Sequence, residues 1–143
     1  YTTLFRSNRV VLLELIYFFY KGLIMSNISE SLNSLMQVSG AIVASVVDSN
    51  SGMMLGQAGS GINLELASAG NTEVVRAKMK TMETLKLNDK IDDILITLGK
   101  QYHIICPIDK NPGLFIYFVL DKSKANLALA RHHVKEVESQ LVV

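Results

Sequence analysis

The sequence predicts an α+β domain with the element order helix, two strands, helix, three strands, helix. Three observations carry this. Two runs, Ala41 to Val47 (AIVASVV) and Leu114 to Leu120 (LFIYFVL), are apolar at nearly every position, as strands covered on both faces require. Between them, Asn63 to Leu85 keeps helical periodicity for about six turns. With the two apolar runs side by side in the middle, a five-stranded antiparallel sheet has the order second, first, fifth, fourth, third. The long helix then lies on one face and the outer two helices on the other.

Each element has its own signal. From Asn27, the residues Ile28, Leu32, Leu35 and Met36 recur on one helical face, with Asn27 and Glu30 placed as an N-cap and its reciprocal partner. Gly40 stops that helix and the first strand follows. Asp48-Ser49-Asn50-Ser51-Gly52 supplies turn chemistry, from which Met53 to Gln57 returns as the second arm of a hairpin. Asn63 is placed to cap the long helix, and Glu65 in its first turn complements the helix dipole. After the Lys86 to Lys90 loop, the runs Ile91 to Leu98, Gln101 to Cys106 and Leu114 to Leu120 form a meander. Gly99-Lys100 fits its first turn and Asp109 to Gly113 its second. Asp92 and Asp93 mark Ile91 to Leu98 as an edge strand. Ser123 is placed to cap the last helix, whose Leu127, Ala130, Val134, Val137 and Leu141 form one buried stripe.

Composition narrows the function classes. A chain of 143 residues, 49% hydrophobic and 19% charged, is enough for one domain with a proper core. Its formal net charge of +1 offers no field to steer a polyanion, so nucleic acid is not an expected partner. The single cysteine, Cys106, excludes an internal disulfide framework and a cysteine-rich metal site, and a cytoplasmic location is expected.

Residues before Met25 stand apart. Asn8 to Ile24 is aromatic-rich and apolar, whereas Met25 opens a Ser/Asn-rich segment. The apolar run, interrupted by Glu14 and Lys21, is shorter than the roughly 20 residues needed to span a bilayer, and no A-x-A-like cleavage site follows. Tyr1 to Ser7 (YTTLFRS) resembles the in-frame translation of a common sequencing-library adapter. Residues 1–24 are therefore expected to be a non-native or disordered leader, and 25–143 the domain. The competing expectation is a helix lying on a membrane surface.

The long helix is apolar over too much of its circumference. On a helical wheel Glu65, Glu73, Arg76, Lys80 and Glu83 share one sector, while apolar and small residues spread over about 220°. A helix on a single sheet needs little more than about 100°. Within the excess, Gly70, Val74, Ala77 and Thr81 form a row of short side chains that would admit a second helix. This predicts a subunit interface.

The element order and the local text resemble the Roadblock family of dynein light chains and bacterial GTPase regulators. The phrases that carry the resemblance are GAIVASVVDSNSG, IDDILITLGKQYHIICPI and LFIYFVLDKSKANLALAR, within a match from Asn27 to Leu141. The resemblance implies a Roadblock/profilin-like αββαβββα fold. It also implies pairing through the middle helix and third strand, which extends two sheets into one and adds Leu66, Ile91, Asp93 and Leu95 to the interface row. It further implies a scaffold or regulator of a Ras-like GTPase or an associated signalling or motor complex, with no catalytic motif, cofactor, metal or membrane partner.

The remaining motifs favour the same conclusion. GQAGSGINL crowds Gly56, Gly59 and Gly61 before a helix but lacks the P-loop ending and the Rossmann glycine spacing. Asp48-x-Asn50-x-Gly52 opens like a calcium loop, yet its glycine falls one position early and no closing Glu follows. His103 and Cys106, three apart in a strand, face opposite ways. His132 and His133 are adjacent on a helix, a poor chelating spacing. Two further function classes serve as alternatives: a small-ligand sensor with a pocket between sheet and helix, and an enzyme built around Cys106 or His103.

Overall fold

The computed structural model describes residues 2–143, with side chains for 8–24 and 27–143. Tyr1 of the adapter-like segment and the side chains of its other residues lie outside this description. Three helices and five strands follow one another as α1 (Thr2–Leu35), β1 (Ala41–Asp48), β2 (Met53–Gly59), α2 (Leu64–Thr84), β3 (Ile94–Thr97), β4 (Gln101–Pro107), β5 (Leu114–Asp121) and α3 (Leu127–Gln140). The strands form one antiparallel sheet in the order β2-β1-β5-β4-β3. The expected fold class and strand order are those of the structure.

Alternation along the central strands builds two cores. Ile116, Phe118 and Leu120 of β5 join Ala44, Val46, Ile104 and Cys106 beneath α1 and α3. Phe115, Tyr117 and Val119 point the other way and meet Val43, Val47, Ile105 and, from α2, Leu64 and Val75. Two helices thus cover one face, whereas α2 alone covers the other and packs chiefly on β1 and β2.

Local chemistry sets the boundaries. In the first hairpin the Asp48 carboxylate accepts from the Asn50 amide (2.9 Å) and the Ser51 hydroxyl (3.0 Å). Asn63 caps α2 by accepting from the Leu66 amide at 3.1 Å. Asn126, not Ser123, caps α3 in the same way, with a 3.1 Å bond from Leu129. Ser123 instead donates to Asp121, extending the turn that closes β5.

Two boundaries differ from expectation. No helix starts at Asn27: α1 runs continuously through it, because nothing between Gly22 and Asn27 breaks a helix. The Asn27 side chain accepts from the Val142 amide at 3.0 Å, tying α1 to the far end of the chain. Every side chain from residue 8 to 23 is exposed, Phe18 at 78%, and contact with the domain begins at Ile24 and Ile28. Continuity also makes Asn8–Leu35 long and apolar enough, by length and composition, to cross a membrane. Its last part is not free to do so, since Ile28, Leu32 and Leu35 are buried in the domain core. The third strand is shortened to Ile94–Thr97, with Ile91, Asp92 and Asp93 forming a lead-in segment.

Candidate self-association surface

Helix α2 presents two rows. Leu64, Ser68, Thr72, Val75 and Met82 are buried against the sheet. Two of these five, Ser68 and Thr72, are polar and short, and the Ser68 hydroxyl is buried, as is that of Ser45 on β1. On the other side Leu66, Gly70, Val74, Ala77 and Thr81 are all exposed, Leu66 at 73% and Val74 at 37%. A methyl group added at Gly70 would meet nothing within 4 Å. Thr81 donates its hydroxyl to the Ala77 carbonyl (2.9 Å), which satisfies the one polar side chain of the row. The charged sector containing Glu73, Arg76 and Lys80 is separate and solvated, and Arg76 there donates to the Asn50 carbonyl at 2.6 Å.

Beside α2 lies the edge of the sheet. β3 pairs only with β4 among the described residues, so its outer backbone groups are free to pair again. A groove of about 570 Å³ separates the two, with Val74, Lys78 and Met82 on the helix side and Ile91, Ile94 and Leu95 on the other. The structure therefore brings Val74 of the predicted set together with Ile91, Asp93 and Leu95 around this groove, while Leu66 and Gly70 lie farther along the same helical row.

Asp93 is the exception in orientation. Its carboxylate accepts from Arg131 Nε and Nη2 at 2.8 and 2.9 Å, so it is engaged by α3 on the opposite face. Lys135 of α3 likewise donates to the Asp92 carbonyl at 3.5 Å. Asp93 thus anchors the approach to β3 and presents no free charge to the groove.

The floor of the uncovered half-sheet carries a polar chain. His103 Nε2 faces Gln101 Oε1 at 2.9 Å, and His103 Nδ1 faces the Tyr117 hydroxyl at 2.8 Å. Asn71 of α2 lies near the same hydroxyl, its own amide donating to the Ala67 carbonyl at 2.8 Å. Sequence reasoning weighed His103 only as a partner for Cys106. The signal that could have found this chain is the two-residue period, which places Gln101 and His103 of β4 on one face.

The structure does not bring Cys106 and His103 together as nucleophile and base. Cys106 lies in the opposite core from His103, and burial pushes its thiol up to about 12, far from a thiolate nucleophile. The glycine cluster serves packing: a Cβ at Gly56 would stand 2.7 Å from Ile28 Cγ2, so glycine there lets α1 settle on β2. Among the described residues no group of three or more His, Cys, Asp or Glu is placed to hold a metal ion. A cleft of about 910 Å³ under the C-terminal half of α2 is lined by Met79, Met82, Leu87 and Phe115. At its rim Lys90 and Asp109 pair with each other at 3.0 Å, so those two charges are not aimed at a ligand.

The class these features define is a small α+β domain with the Roadblock/LC7 fold. No family model and no curated protein sequence matches the chain. Among solved structures it is similar to Myxococcus xanthus MglB, with TM-score 0.73 and 17% identity over 82% of this chain and 86% of that one. A Roadblock/LC7 domain from Streptomyces avermitilis superposes at TM-score 0.69 with 8% identity, covering 78% of this chain and 91% of that one. An MglB solved in a tetrameric arrangement gives TM-score 0.68 and 16% identity over 78% of this chain and 82% of that one.

Proposed function

We propose that this chain is a non-enzymatic, cytoplasmic interaction module that acts as a homodimer and scaffolds or regulates a Ras-like small GTPase or an associated signalling or motor complex. The observation that carries the reading is the exposed row Leu66, Gly70, Val74, Ala77 and Thr81 running beside the free edge of β3. A second copy laid against that row, with Ile91 and Leu95 at the adjoining edge, would extend the sheet and remove apolar surface from water at once. The other edge, β2, is less suited, because β1 and β2 shift register between Val46 and Val47 and Gly59 turns its end. The tetrameric arrangement of one similar MglB is consistent with self-association in this fold. The GTPase rests on the Roadblock resemblance.

Small-ligand sensing has its one specific support in the cleft beneath α2. Of the charges that line it, Lys90 is paired with Asp109 and Arg76 with Glu73 and the Asn50 carbonyl, which leaves them engaged within the chain, so self-association leads. Solution mass decides the first part: a monomer at micromolar concentration overturns the homodimer. Pull-down of Ras-like GTPases from the same genome, each loaded with GDP or with a non-hydrolysable GTP analogue, decides the second. Absence of nucleotide-dependent binding across that set overturns the GTPase assignment and leaves the dimer standing.

A further inference from the structure

We propose that the Gln101–His103–Tyr117 chain is a pH-sensitive latch on self-association, in which a proton taken up by His103 weakens the dimer. The inference rests on the homodimer proposed above and concerns how that contact is regulated.

The chain has a direction. With Gln101 Oε1 toward the ring, the neutral tautomer that satisfies both contacts carries its proton on His103 Nε2, and the lone pair of Nδ1 accepts from the Tyr117 hydroxyl. A second proton on Nδ1 turns an acceptor into a donor facing that hydroxyl. Tyr117 must then turn its own proton elsewhere, and it has little room, being 1% exposed within the core under α2. The cation therefore reverses that hydrogen bond and displaces the Tyr117 proton from the acceptor that the neutral ring supplies.

Position couples this ring to the interface. His103 lies directly opposite Ile96 of the edge strand β3 and is half-buried at the end of the half-sheet that α2 leaves open. A copy pairing along β3 and resting on the α2 row covers that end and removes more water from the ring. Dehydration disfavours the charged form. The surrounding groups do not compensate. Tyr117 and Gln101 face the ring within the sheet, Ile96 and Val119 flank it from β3 and β5, and α2 contributes Asn71 and, along the groove, the cation Lys78. The acids of the lead-in segment are turned to α3, Asp93 to Arg131 and Asp92 toward Lys135, and Asp121, opposite Gln101 on β5, accepts from the Ser123 amide and hydroxyl. Burial alone already holds His103 below its ordinary value.

The sign follows from proton linkage. A histidine whose association lowers its proton affinity favours the dimer above its free value and opposes it as pH falls through that value, which burial already sets below the ordinary histidine range for His103. His132 and His133 lie on α3 beside Glu136, on the far face, and provide an internal contrast.

The test uses the full chain, with the dimer dissociation constant measured by sedimentation equilibrium at about pH 7.5 and about pH 5.5. Wild type is expected to dissociate about tenfold or more readily at the lower pH. His103→Gln, which cannot titrate, is expected to hold its affinity over the same range. Tyr117→Phe removes the hydroxyl that stabilises neutral His103, and is expected to move the wild-type transition to higher pH. A monomer at pH 7.5 overturns the homodimer and the latch with it. A dimer whose affinity is unchanged with pH, or falls equally in His103→Gln, overturns the latch alone. So does an unmoved transition in Tyr117→Phe, or a loss of circular dichroism that accompanies dissociation.

Discussion

Arg131 on α3 holds Asp93 by two hydrogen bonds of 2.8 and 2.9 Å, and this fork fixes the segment that leads into the edge strand. The pair spans the sheet edge from the face opposite α2, so it positions β3 without occupying its pairing side. Arg131→Ala is expected to cost about 1 kcal/mol or less, because the arginine is about half exposed and water screens the pair. The local effect should exceed the global one. Hydrogen exchange over Ile94–Thr97 should accelerate more than exchange in β5, and uniform acceleration in both strands would contradict an anchoring role.

The α2 row is tested by charge. Ala77→Glu places a carboxylate near its symmetry mate in an interface read as dry, where neither charge finds a partner. The variant is expected to be monomeric by light scattering. Lys80→Glu lies in the solvated sector and should leave both mass and stability near wild type, within about 0.5 kcal/mol. If Ala77→Glu remains dimeric while Lys80→Glu dissociates, the interface lies on the other sector of the helix.

Gly59 closes β2 at φ 84°, and a Cβ there would collide with the Ile42 carbonyl and sit 2.9 Å from the Val43 Cα. Both contacts are backbone and cannot swing aside. Gly59→Ala is expected to destabilise by about 2–4 kcal/mol, read as a lowered urea midpoint with unchanged m-value. A variant within about 0.5 kcal/mol of wild type would show that the β2 end relaxes freely.

Removing the residues before Met25 is expected to preserve both the thermal midpoint and the solution mass. The physical ground is that residues 8–23 are exposed throughout, while Ile28, Leu32 and Leu35 are buried in the domain. A midpoint lowered by more than a few degrees would assign the leader a structural role.

The purified chain is expected not to hydrolyse GTP, since its glycine-rich segment supplies no P-loop lysine and packs against α1 through Gly56. Phosphate release that persists through successive purification steps would contradict this.

Much of the architecture was legible because burial on two faces leaves an unambiguous mark. β1 and β5 show it as unbroken apolar runs, and their adjacency orders the other strands around them. The exposed face of α2 was legible for the complementary reason: its apolar arc exceeds what one sheet can cover. What escaped reading depends on contacts between distant segments. The lead-in to β3 carries Asp92 and Asp93, whose places are set by Lys135 and Arg131 of α3, about forty positions later. Ser68 and Thr72 face the sheet although they are polar, and Thr72 satisfies its hydroxyl within the helix by donating to the Ser68 carbonyl at 2.8 Å. Asn27 carries a good cap residue's chemistry, but a cap needs a break before it, and none precedes it. The candidate interface was readable along α2, whereas its polar floor required knowing which half of the sheet α2 leaves uncovered.

The bond between Asn27 and the Val142 amide brings two distant points of the chain together on the α1–α3 side of the sheet. Anything joined there emerges behind the molecule and away from α2. In a pair built on a continuous sheet, both copies of this Asn27–Val142 junction would lie on one common side. One broad side would then be free for a guest while the reverse side is tethered, so a fluorophore or surface linker attached beyond Val142 should report on docking without obstructing it.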